Sequence, residues 1–415
     1  MPHDDEQPRA GLSRRGLLGL AAGGGAALAL AGGGIGYALG TPRRDADDED
    51  RHAFFGEHQA GITTEVQEHL HFAAFDMMPR SDRRDLIELL QDWSYAASRL
   101  TQGLDVSASG ATGGGPESPP DDTGEALGLH AANLTITFGF GPTLFANEDG
   151  DRYGIGDRRP AKLERLPAFL GDDLDPAQSD GDLCIQVCAD DPQVAVHAIR
   201  NLSRIAFGRA KLRWSQLGFG KTSRTSAEQQ TPRNLFGFKD GTANILADDR
   251  DALDAHVWAG DDDPDWMAGG SYLVARKIAM LIETWDRVRL GEQERIFGRD
   301  KAEGAPLTGG TEMTPPKLAG LDVHSHVRLA HPDSNDGVRI LRRGFNYVGG
   351  NNALGRLDAG LFFLSYQRDP AQFIALQKRL STDLLVEYIR HVGSGVWAVP
   401  PGATSGSYVG AALFA

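Results

Sequence analysis

Two apolar spacings alternate along this chain, and neither an all-helical nor an all-β fold accommodates both. Between Asp82 and Arg99, Leu86, Leu89, Leu90, Trp93 and Ala97 fall at i, i+3, i+4, i+7 and i+11, one face of a helix. Leu134–Phe140 and Leu183–Ala189 are short runs with the composition of strands. A helical pattern follows at Pro192–Phe207, and a short helix is expected earlier at Thr64–His69. The alternation returns in the C-terminal half. There, strands are expected at Ser271–Leu281 and Leu361–Tyr366, and helices at Ile282–Phe297 and Ala371–Leu380. The implied class is α+β, sheets with helices on one side. At 415 residues the chain exceeds the usual single domain, although no internal repeat is strong enough to prove duplication.

Composition removes some partners. Apolar content of 40% and charged content of 24% are those of a globular protein. A net charge of −15 argues against nucleic acid or an anionic membrane surface as partner. Ser13-Arg14-Arg15-Gly16-Leu17-Leu18 precedes a Gly/Ala/Leu run ending near Gly40, which reads as a twin-arginine export signal over 1–40. Its many glycines make it weakly apolar for a spanning helix, so no stable membrane anchor is expected. An acidic-basic linker over 41–55 then leads to domains expected at 56–236 and 237–415. Between Thr101 and Glu125 a Gly/Ser/Pro/Asp-rich stretch reads as a mobile surface loop. Cys184 and Cys188 lie four residues apart in one strand, roughly 13 Å between Cα atoms, too far for the disulfide limit of about 7 Å. Free buried thiols are expected.

Three segments carry the chemistry. Gly237-Phe238-Lys239-Asp240-Gly241-Thr242-Ala243-Asn244 sets one carboxylate between glycines that can take positive φ, so the loop aims Asp240. Taken alone, an Asp-Gly pair is usually just a turn. His324-Ser325-His326-Val327-Arg328-Leu329-Ala330-His331 supplies three candidate metal-binding imidazoles, among which the residues themselves do not choose. Arg342-Arg343-Gly344 supplies a guanidinium, and adjacent residues of an extended segment point to opposite sides, so only one can face a given site. An imidazole on one side of a cofactor and an Asp–Arg pair on the other is the arrangement that peroxide chemistry at haem iron requires.

Gly237-Phe238-Lys239-Asp240-Gly241 resembles the GxxDG signature of the dye-decolourising peroxidases. Further segments resemble that family in its order: Leu134–Gly141, Asp182–Asp191, Gly270–Val274, Glu292–Arg295, Leu361–Gln367 and Glu387–Ile389. Coverage runs from about residue 55 to the C-terminus, and the exported, iron-uptake-linked branch is the nearest match. The resemblance implies two ferredoxin-like domains with haem b held mainly by the C-terminal one. No Cys-x-x-Cys-His occurs, so the haem is expected to be non-covalent. The resemblance further implies His326 as iron ligand, and Asp240 and Arg342 as the residues that receive hydrogen peroxide. An oxoferryl species would then oxidise dyes, phenols or similar organic donors. Glu387 is the expected partner of the ligating histidine, with Asp383 as fallback. Leu361 and Phe363 would form an apolar ceiling, and Thr242 and Asn244 would orient the loop or meet the haem propionates. Tyr347, Tyr366 and Trp397 lie near the motifs but read first as core aromatics. Release of iron from haem is the alternative activity, and the twin-arginine translocase is an expected partner during export.

Overall fold

A computed structural model describes residues 50–415, which form one compact unit. The export signal and most of the linker fall outside these residues. Nine strands are joined in one sheet: β1 (His69–Met77), β2 (Thr135–Phe140), β3 (Leu183–Ala189), β4 (Ala210–Lys221), β5 (Ser271–Met280), β6 (Leu341–Arg342), β7 (Phe345–Asn351), β8 (Leu357–Gln367) and β9 (Ile389–Val399). In the N-terminal half the order is β4-β1-β3-β2, every neighbour antiparallel. The C-terminal half repeats it as β9-β5-β8-β7. Each half is therefore a ferredoxin-like sheet. The halves meet along β2–β9 and β4–β7, and β5–β8 pairing closes the strands into a ring.

The ring explains the buried patterns. On β1, Leu70, Phe72 and Ala74 point inward to a core shared with Cys184, Cys188, Leu273, Phe362, Tyr366 and Trp397. Ala73, Phe75 and Met77 point outward, where α1 (Arg83–Leu100) and α2 (Pro192–Ile205) cover them. Asp82 caps α1 in a reciprocal box with Asp85. The helix buries the face read from the sequence, Leu86, Leu89, Leu90, Trp93 and Ala97, worth about 1.5–3 kcal/mol for each large side chain. Trp93 also donates its indole N–H to the Leu202 carbonyl of α2 at 2.8 Å.

Several sequence expectations need correction. Thr64–His69 is not a helix; its end opens β1. The Ile282–Phe297 helix is two pieces, α3 (Ile282–Trp285) and α4 (Leu290–Phe297). The 101–125 segment is tied down toward both of its ends, with residues 112–120 exposed between them. Asp122, fully buried, accepts from the backbone of Val106 at 2.9 Å and Gly124 at 2.7 Å. Both cysteines are free and buried. Tyr347, Tyr366 and Trp397 are wholly buried. Among the described residues no helix is long and apolar enough to cross a membrane.

Candidate active site

The site is a cavity of about 540 Å³ in the C-terminal half, within the range of small-ligand pockets. Its floor and walls are apolar: Ile278 and Met280 of β5, Leu361 and Phe363 of β8, Phe297 of α4, and Phe373 and Leu376 of α6 (Pro370–Arg379). Alternation along β5 and β8 turns these residues to one face, while their neighbours fill the ring.

One wall carries His326, the first residue of α5 (His326–Ala330). Its Nδ1 lies 2.6 Å from Asp383 Oδ2, and Asp383 is almost fully buried. Asp383 is itself fixed, because its other oxygen accepts from the Leu385 backbone at 2.9 Å. Burial opposes protonation of His326, but the Asp383 carboxylate outweighs it and raises the imidazole above its ordinary pKa. Glu387, the partner expected first, is exposed and makes no such contact. Five residues of tight 3₁₀ turn, Leu384–Tyr388, begin at Asp383 and carry Glu387 round to solvent. Of the other imidazoles, His324 is exposed. His331 lines the cavity, but its Nδ1 is occupied by the Asp333 backbone N–H at 3.1 Å.

Asp240 and Arg342 also line the cavity, joined by a 2.7 Å contact from Arg342 Nη1 to Asp240 Oδ1. The second Asp240 oxygen accepts from Asn234 Nδ2 at 3.3 Å, and its backbone N–H donates to Pro232 at 2.9 Å. The loop glycines are needed as expected. Gly241 has φ +88° and packs so closely that a Cβ would lie 2.6 Å from Ser223 Cα. Asn244 does not line the cavity. Its Nδ2 donates to the carbonyls of Arg224 and Arg342, each at 2.8 Å, and its Oδ1 accepts from the Arg342 N–H at 2.7 Å. It holds the backbone of β6, which aims Arg342. Thr242 lines the cavity, with its hydroxyl given to Glu312 at 3.2 Å. Arg343 points the other way and is fully buried, donating to the carbonyls of Thr64 and Glu65 and to the Gln67 side chain.

The donor set suits iron that brings ligands of its own. No three metal-binding side chains converge among the described residues. Of the three imidazoles that line this apolar space of cofactor size, those of His326, His331 and His391, only His326 hydrogen-bonds a buried carboxylate. The sequence reading passed over Glu312, Lys239 and Asn234. Asn234, two residues before an apolar turn, carried a detectable Asx-turn signal; Glu312 carried none.

Known proteins resemble this chain along most of its length. Residues 59–220 match the family described as "Dyp-type peroxidase, N-terminal" and residues 231–404 its "C-terminal" counterpart. The chain is 38% identical to the protein named deferrochelatase from Escherichia coli strain K12, over 91% of this chain and 90% of that one. The DtpA structure from Streptomyces lividans, an oxyferrous/water mixed complex, is similar with a TM-score of 0.80 and 39% identity, covering 88% of this chain and 98% of that one. A DyP-type peroxidase from Cellulomonas bogoriensis gives 0.77 and 38%, covering 88% and 98%. With both halves matched in order along its length, the chain belongs to the Dyp-type peroxidase family and is a haem-dependent peroxidase.

Proposed function

We propose that this protein is an exported haem b peroxidase in which His326 binds iron while Asp240 and Arg342 act on hydrogen peroxide. One observation carries the reading. The apolar cavity has the His326–Asp383 pair on its wall and the Asp240–Arg342 pair at the same space. Haem, when bound, would supply the iron at which peroxide is cleaved and the oxidising power that draws electrons from the donor. Asp383 accepts a hydrogen bond from Nδ1–H of His326, which would leave Nε2 for the metal and make the imidazole a stronger ligand. Asp240 takes a proton from the inner peroxide oxygen and returns it to the outer one, which leaves as water. Arg342 stabilises charge on that departing oxygen. Leu361 and Phe363 keep water out, and Asn244 fixes the strand that carries Arg342. Two electrons and two protons from dyes, phenols or similar donors complete the reduction of one peroxide to two waters. We further propose that residues 1–40 direct export by the twin-arginine route to the periplasm or the outside of the cell.

A second reading is favoured by the name of the E. coli relative: the protein binds haem and releases its iron. One experiment separates the two. Haem-loaded parent, His326→Ala, Asp240→Ala and Arg342→Leu are mixed with hydrogen peroxide in a stopped-flow spectrometer. His326→Ala shifts or loses the Soret band. The two other variants keep haem but react about 10²–10⁴-fold more slowly. Equal rates in parent and both variants refute the assignments of Asp240 and Arg342. A parent that scarcely reacts with peroxide yet liberates iron from haem favours the second reading.

A further inference from the structure

Asp240 is held by its own loop on one side only; on the other, the loop is fastened to the 299–316 segment. Both oxygens of Glu312, a cavity-lining residue of that segment, reach back to it. Oε2 pairs with the Lys239 ammonium, and Oε1 accepts from the Thr242 hydroxyl at 3.2 Å. These partners are one residue before Asp240 and two residues after it. Glu312 is anchored in turn, since its backbone carbonyl accepts from the buried Arg299 at 2.8 Å. The Lys239 stem lies in the space left by Gly304, where a Cβ would come within 2.9 Å of it. Arg233 adds a third fastening, from Gly237 to Lys301 and Ala302, at 2.6–2.7 Å.

We propose that Glu312 is a positioning residue for Asp240, its carboxylate clamping the residues on either side of that aspartate to the segment that walls the cavity. The pair is only partly exposed, at 22% for Lys239 and 15% for Glu312, so solvent screens it incompletely. Burial works to raise the Glu312 pKa, but Lys239 and Thr231, with a smaller contribution from Thr242, more than reverse this and keep the carboxylate ionised. The inference rests on the proposed role of Asp240. A reacting group displaced by about 1 Å can lose about 10²-fold in rate, so the clamp acts on rate without touching peroxide.

The test compares haem-loaded full-length parent with E312A, E312Q, the charge swap K239E/E312K, and D240A. Haem content is fixed first by pyridine haemochrome. E312A is expected to keep haem, react with peroxide about 10- to 100-fold more slowly, and show faster hydrogen exchange in residues 237–244. The acid limb of its pH–rate profile should move to lower pH, because Lys239 is left unneutralised beside Asp240. E312Q should fall between, and the swap should return to within about threefold of the parent, as expected for a pairwise coupling. A parental rate and pH profile in E312A overturns the proposal. So does slowing that the swap fails to recover and that leaves the pH profile in place, which is the signature of general damage. If E312A does not fold, E312Q and the swap decide it. A D240A variant as fast as the parent refutes the role of Asp240 instead, and so distinguishes the two failures.

Discussion

At the scale of single residues, the site depends on which carboxylate stands behind the imidazole. Asp383 is 6% exposed and bonded through both oxygens, whereas Glu387 is at the surface. Asp383→Asn keeps the size but removes the charge. It is expected to lower haem affinity or peroxide reactivity about 10- to 100-fold and to move the iron reduction potential positive, as a less basic ligand stabilises the oxidised metal less. Glu387→Gln should change neither by more than about twofold, since an exposed carboxylate acts weakly on a distant group. A spectroelectrochemical titration of the three proteins checks this; equal shifts in both variants would return Glu387 to the role first expected. Positive-φ glycines made the aimed Asp240 loop legible, and strand alternation limited the guanidinium to one of Arg342 and Arg343, with the resemblance choosing Arg342. The choice of Asp383 over Glu387 was not legible, since it depends on where one short 3₁₀ turn starts relative to a helix 57 residues earlier in the chain.

Among elements, one-faced helices and the short strands β2 and β3 were legible, the latter although buried along their whole length, whereas β1, β4 and β9 were not. The amphipathic faces of α1 and α2 announce themselves by spacing. β1 does not, because Phe72-Ala73-Ala74-Phe75 is apolar on both its ring face and its helix face and shows no alternation. β9 hides for the same reason and carries a titratable group inward. His391, paired in register with Ile278 of β5, lines the cavity beside the buried Arg276–Asp172 pair. Burial first, and then Arg276, push its pKa down to about 4. Above about pH 6.5 the imidazole is neutral folded or unfolded and pH has no effect through it. Between that value and about 4 the unfolded chain takes up a proton that the folded one refuses, so stability falls as pH falls. The loss approaches about 3 kcal/mol at 1.36 kcal/mol per unit. Urea unfolding of haem-free protein at pH 7 and pH 4.5 should show a smaller drop for His391→Asn than for the parent. Identical drops would remove His391 as a source of acid sensitivity.

For the whole molecule, the closed ring makes each half a wall of the other. Sheet seams β2–β9 and β4–β7 join residues far apart in sequence. The Gly56 N–H also donates to Ala403 at 3.1 Å, so the chain must be complete before its fold is. A twin-arginine route, which carries folded proteins, fits that requirement. Replacing Arg14 and Arg15 by Lys is expected to leave folded, haem-loaded protein in the cytoplasm, read by fractionation and the Soret band; unchanged export would point to the general secretory route. Length and a recurring strand–helix alternation suggested two halves, but their ferredoxin-like topology was legible only through resemblance, because antiparallel closure depends on pairings that no local pattern encodes. The ring also bears on how long such a molecule survives its own oxidant. Sulfur is the group most easily spoiled by peroxide, and attack needs thiolate and access. Cys184 and Cys188 offer neither, being sealed inside the ring with burial pushing both thiols up. Met313, 53% exposed and lining the cavity, is the methionine most open to the oxidant among the described residues. Wear therefore begins at the cavity wall, as a thioether turned to a polar sulfoxide, and leaves the interior sound.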